Sequence, residues 1–159
     1  MKTKTTAIIF FATIIFISCT NSTSNTTEQG TKLPIEGTWK LLTGTLVDTN
    51  GVATVTDYTH DTAFIKVINA DHFAFMGHDL NKGKDSTHAY YSSGGGKYDL
   101  HDSNYTEHLE YCNDRQWEAN DFNFTIAISN DTLIIKGVEK VEGANINRVN
   151  TEKYLRLKN

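Results

Sequence analysis

The stretch FNFTIAIS, residues 122–129, constrains the fold of this chain more than any other feature. Phe122, Phe124, Ile126 and Ile128 recur at every second position, with Asn123, Thr125, Ala127 and Ser129 between them. Successive side chains of an extended strand point to opposite faces, so a period of two describes a strand with one buried and one wetted face. Short β patterns recur at residues 37–46, 63–69, 72–78, 89–93, 97–101, 105–112, 132–138 and 152–158. Turn signals separate them: Asn50-Gly51, Ala70-Asp71, Gly94-Gly95-Gly96, Asp102-Ser103-Asn104 and Asn130-Asp131, with polar loops at 81–86 and 143–150. Only residues 138–149 carry a weak helical period. Eight or nine short strands at this spacing predict an all-β fold, and sequential hairpins favour an antiparallel up-and-down β-barrel of about eight strands. Closure removes the free edges on which half-buried strands would aggregate.

The two ends of the chain read differently. Lys2 and Lys4 precede an apolar run at residues 7–17, broken only by Thr13, and small Ser18 precedes Cys19. This is the architecture of a secretory signal peptide, residues 1–18, and the run is too short to span a bilayer comfortably. Residues 20–32 are rich in Ser, Thr and Asn and hold no apolar side chain, so ordering them has nothing to offset its entropy. Residues 19–34 are therefore expected to be a flexible tether, and residues 35–159 a single domain. The 15 basic residues less the leader's two leave 13 against 19 acidic ones, a mature charge of −6, which argues against a nucleic-acid partner.

The stretch Phe16-Ile17-Ser18-Cys19 resembles the bacterial lipobox, with Phe16 where leucine is usual. That resemblance implies that Cys19 becomes the lipidated first residue of an envelope protein anchored to a membrane, the outer one being expected. Gly37-Thr38-Trp39 resembles the G-x-W motif of lipocalins and other calycins. In that family the Trp closes the barrel base and a basic residue of the last strand packs across the indole. The resemblance assigns these roles to Trp39 and Arg156, with Arg148 as the fallback, and a cation on an indole face is a sound plug. Residues 35 to 158 also resemble lipocalin-like lipoproteins of Bacteroidetes-type bacteria, which brings no activity with it.

With Cys19 acylated, Cys112 is the sole thiol, so no internal disulfide is expected and the core must hold the fold. Cys112 ends the stretch YTEHLEYC, residues 105–112, which carries two glutamates, a histidine and the cysteine. Alternation puts Tyr105, Glu107, Leu109 and Tyr111 on one face and Thr106, His108, Glu110 and Cys112 on the other. The first face has more aromatic area and is expected to point inward. Glu107 then stands on the inner wall, needs an Arg, a Tyr hydroxyl or water as partner, and has its pKa raised by burial. His108, Glu110 and Cys112 are metal-ligand types, but strand spacing spreads them over nearly ~14 Å, too far for one ion. The six histidines, all between His60 and His108, are read as solvated, and Cys112 as packed.

Ser93 to Lys97 fails as a phosphate loop, because Tyr98 replaces the required Ser or Thr and a strand follows. The glycines suit a bulge or barrel corner. No H-E-x-x-H or G-x-S-x-G occurs, so neither a cofactor nor a catalytic role is expected. The expected function is binding of a small, largely apolar ligand by a monomeric barrel. The expected lining is Phe73, Phe75, Tyr98, Tyr105, Leu109, Tyr111, Phe122, Phe124 and Ile126, with Glu107 as the polar member. Two alternatives stay open: a fully packed barrel serving as an envelope structural or interaction module, and a calycin-type enzyme using Glu107 or a histidine.

Overall fold

Nine strands make up most of the computed structural model, which describes residues 33–158: β1 (Gly37–Val47), β2 (Ala53–Asp57), β3 (Thr62–Ile68), β4 (His72–Asp79), β5 (Tyr91–His101), β6 (Asn104–Cys112), β7 (Asn120–Ser129), β8 (Thr132–Val141) and β9 (Ile146–Arg156). The expected signal peptide, Cys19 and the expected tether as far as residue 32 lie outside the described residues. Every pairing is antiparallel, and the order β1-β3-β4-β5-β6-β7-β8-β9 closes through β1–β9 into an eight-stranded barrel. The expected up-and-down topology thus holds, with one departure. The first half of β1, Gly37–Lys40, pairs with β3, whereas Thr43–Val47 pairs on the same side with β2. A register shift against β9 between Leu41 and Thr43 marks the change.

Strand β2 carries no sequence signal because all five of its residues are exposed. It is held by its ladder to β1 and by the predicted Asn50-Gly51 turn, where Gly51 takes φ +80° and the Asp48 carboxylate accepts from Asn50 N and Val52 N. Three other readings are revised. One strand, β5, runs straight through the triple glycine where two were expected. The weakly helical 138–149 segment is the end of β8, a 3₁₀ turn at Glu142–Ala144, and the start of β9. Strand β9 therefore begins inside what reads as a loop.

The interior divides into two levels. At the base, Ile35, Trp39, Ile68, Phe73, Tyr98, Tyr105, Ile126, Leu133, Ile135 and Tyr154 are buried in one apolar cluster. Trp39 Nε1 donates to Ile35 O at 2.7 Å, and the Arg156 guanidinium carbon sits 3.9 Å from the Trp39 ring centroid. Arg156 Nη1 also donates to Glu36 O at 2.6 Å and Nη2 to Pro34 O, so Leu33 to Glu36 are laced across the base. Gly37 allows this closure: its φ is +142°, and a Cβ there would lie 2.6 Å from Arg156 Nη1. Arg156, rather than Arg148, is the closing residue. The two-residue turns 102–103 and 130–131 lie at this same end, and Asp102 and Asn130 supply the left-handed position in each.

Candidate functional site

Above the packed base the barrel opens into a cavity of about 400 Å³. Its mouth is framed by the ends of β1 and β2, the loop after β4, the Arg115–Trp117 turn and the start of β9. Much of its lining is aromatic. Phe64 and Phe75 stack at 5.8 Å between centroids, and Tyr58 meets Phe64 edge-on at 5.9 Å. Phe122 stands between Trp117 at 5.7 Å and Phe124 at 6.3 Å. Leu41, Leu46 and Leu109 fill between the rings.

Among these rings the same interior holds a charged cluster. Lys66, only 4% exposed, comes from the inward face of β3, and its Nζ donates to Glu107 Oε1 at 2.6 Å. Glu152 Oε2 lies 3.7 Å from the same Nζ and accepts from the Tyr154 hydroxyl at 2.8 Å. The ammonium also approaches the Phe73 and Tyr154 rings, at 5.5 and 5.7 Å. Nearer the mouth, Glu139 accepts from Arg148 Nε and Asn150 Nδ2, both at 2.7 Å, while the Arg148 guanidinium lies 5.4 Å from the Trp117 ring.

These contacts set the protonation of the site. Burial opposes the charge of Lys66, but Glu107 and Glu152 outweigh it and leave the ammonium above the ordinary lysine pKa. Burial raises the Glu107 pKa, and Lys66 offsets only part of that rise. The direction matches the sequence expectation; the closest partner is a lysine from β3, with the Tyr105 hydroxyl also beside the carboxyl. Burial and the neighbouring carboxylates hold the Tyr105 and Tyr154 hydroxyls well above the usual phenol pKa. The Tyr105 hydroxyl is enclosed beside Glu107 without a well-formed hydrogen bond to any group.

Of the expected lining, Phe75, Glu107, Leu109, Phe122 and Phe124 border the cavity. Phe73, Tyr98, Tyr105 and Ile126 do point inward, but they belong to the packed base below it. Tyr98 is tied there by its hydroxyl, which donates to Asn69 O at 2.7 Å. Tyr111 is a correction, for its side chain is 68% exposed and on the outer face. The reason is a bulge: Gly96 pairs with Leu109 and Gly95 with Tyr111, so Glu110 has no partner and the alternation slips by one. Cys112 thereby turns toward the cavity, and burial raises its thiol pKa. The bulge depends on Gly96, where a Cβ would come within 1.9 Å of His108 O.

His108 is on the outer wall as expected, bridging Asp121 at 2.7 Å and Asp99 at 3.0 Å. These two hydrogen bonds raise its pKa. His108 and Cys112 therefore end on opposite sides of the wall, and among the described residues no three His, Cys, Asp or Glu side chains gather in a metal-binding group.

Apart from Glu107, the charged cluster of the site is what sequence reasoning missed. Lys66 was available to it, since TAFIKVI places Lys66 on the same face as Phe64 and Ile68. Glu139, Arg148 and Asn150 were hidden by the misread segment, and Glu152 by a strand taken to start at that residue. Tyr58 and Tyr90 come from connections and carry no period. The sequence matches no protein-family model and no curated protein.

Proposed function

We propose that this chain is a lipid-tethered, lipocalin-like barrel of the bacterial envelope that holds a small, largely apolar ligand with one polar end. The observation that carries this reading is the cavity of about 400 Å³, lined by stacked rings and by a charged cluster set among them. A volume of this size suits a small molecule, and mostly apolar walls with a few fixed polar groups are how such ligands are bound and oriented. The open upper half of the interior favours binding over a structural module with a filled barrel. Leu33 to Glu36 enter at the closed base, so an anchor at Cys19 would leave the mouth facing away from the membrane. Native mass spectrometry of protein purified from its own host should show a small adduct that an apolar environment-sensitive dye displaces. A protein that carries no adduct and takes up no dye would refute the proposal.

A further inference from the structure

The charges inside the cavity do not balance, and the surplus has a definite place. Apart from Asp114, exposed at the rim, the charged side chains are Lys66 and Arg148 against Glu107, Glu139 and Glu152. Arg148 and Asn150 occupy both oxygens of Glu139. Glu107 takes the short contact from Lys66 at 2.6 Å, which leaves Glu152 with the same ammonium at 3.7 Å and the Tyr154 hydroxyl. One negative charge is thus left over, and it lies at Glu152.

The surroundings of Glu152 are aromatic. Glu152 pairs with Gly44 across β1–β9, and the Tyr58 ring lies 3.3 Å from where a Cβ on Gly44 would be. The missing side chain lets that ring fold over the wall beside the carboxylate. Phe64 continues the surface edge-on from Tyr58. The Tyr58 and Tyr90 hydroxyls both sense the Glu152 charge. Close by, the enclosed Tyr105 hydroxyl lies beside Glu107 without a well-formed hydrogen bond.

Resting on the ligand-binding reading above, we propose that the cavity selects a small aromatic amine, whose ammonium sits at Glu152 beside the rings of Tyr58 and Phe64. A monocation cancels the surplus charge, donates a charge-assisted hydrogen bond to the carboxylate and meets the ring faces. An anion of the same shape adds to the surplus in a poorly solvated space. A neutral analogue fills the aromatic wall and leaves the charge unbalanced.

The test is a matched series of phenylbutylamine, phenylbutanol and phenylbutyrate, titrated calorimetrically at neutral pH into the full chain. The amine should bind about tenfold more tightly than the alcohol, the worth of one charge-assisted hydrogen bond, with the carboxylate weakest. Glu152→Gln should remove the amine's advantage over the alcohol. Glu110→Gln, exposed on the outer face, should alter neither. An amine no tighter than the alcohol overturns the inference, as does a preference that survives Glu152→Gln. The wild-type series decides the question even if that variant is unstable. An apolar dye added in parallel separates the two levels: dye uptake without an amine preference refutes only the amine, whereas no uptake of dye or any of the three refutes ligand binding itself.

Discussion

Replacing Lys66 by methionine keeps much of the side chain's length and removes its charge. Lys66 is 4% and Glu107 6% exposed, and they are joined at 2.6 Å, so the change strands a carboxylate in the barrel interior. Breaking a buried pair from one side costs about 3–5 kcal/mol, because the remaining charge loses its partner and cannot regain water. Adding Glu107→Leu should recover most of that loss, since a pair replaced by apolar residues is often neutral. Recovery should fall short of complete, because Glu152 also loses its contact with the ammonium at 3.7 Å.

The pH dependence follows from the sign of the Glu107 shift. Its folded pKa is already above 4.5 through burial, and losing Lys66 removes the main opposing influence. A carboxyl raised in the folded state is relatively stabilised below its unfolded pKa, and that stability is lost as pH rises through the folded value. The Lys66→Met penalty should therefore be large at pH 7 and shrink on acidification toward about pH 4, where Glu107 is neutral. Urea unfolding followed by circular dichroism, for wild type, both single variants and the double across that range, measures it. A cost below about 1 kcal/mol at pH 7, a penalty independent of pH, or no rescue by Glu107→Leu would show that the pair is not buried as described.

Four further outcomes are expected. Leu109→Trp should fill the cavity and abolish uptake of an apolar dye while the barrel stays folded, and His108→Trp should leave uptake intact; the reverse would turn the wall of β6 inside out. Trp39→Ala should cost about 3–5 kcal/mol and Arg156→Ala less, with a non-additive double variant, since the two touch; additivity in the unfolding cycle would remove Arg156 from the closure. His108 has its pKa raised by Asp99 and Asp121, so its stabilising effect should be complete below about pH 6.5 and be lost as pH rises through its higher folded value; a His108→Gln variant whose deficit does not shrink at alkaline pH would contradict this. Cys19→Ala should leave the protein soluble or unprocessed in cell fractionation, and a cleaved variant still fully in membranes would refute the anchor.

Much of the fold was legible in the sequence because barrel walls announce themselves locally. Phe122 to Ser129 alternate strictly, and Phe122, Phe124 and Ile126 are buried in the structure as their period requires. Asn50-Gly51 and Asn130-Asp131 turn where their backbone tolerance allows. Trp39 and Arg156, nearly the whole domain apart, were paired by their resemblance to a known closure, and the two side chains do stack. Half of the cavity wall was legible for the same local reason, through Phe75, Glu107, Leu109, Phe122 and Phe124.

What tertiary structure decided depends on neighbours that no single strand can specify. Period two predicts a face only while the ladder is regular. The bulge opposite Gly95 and Gly96 is a property of two strands together, and it sends Tyr111 outward and Cys112 inward. The division of the interior into a packed base and an open mouth depends on how side chains of eight strands fill one closed space, so Phe73 and Phe75 share a face of β4 yet belong to different levels. The charged cluster is the clearest case. Lys66, Glu107 and Glu152 come from β3, β6 and β9, and they meet because closing the barrel makes β1 and β9 neighbours and turns all three residues toward the same interior. A sequence can show that each charge lies on an inward face; only the closed sheet brings them within reach of one another, which is what allows charges in a poorly solvated interior to be tolerated.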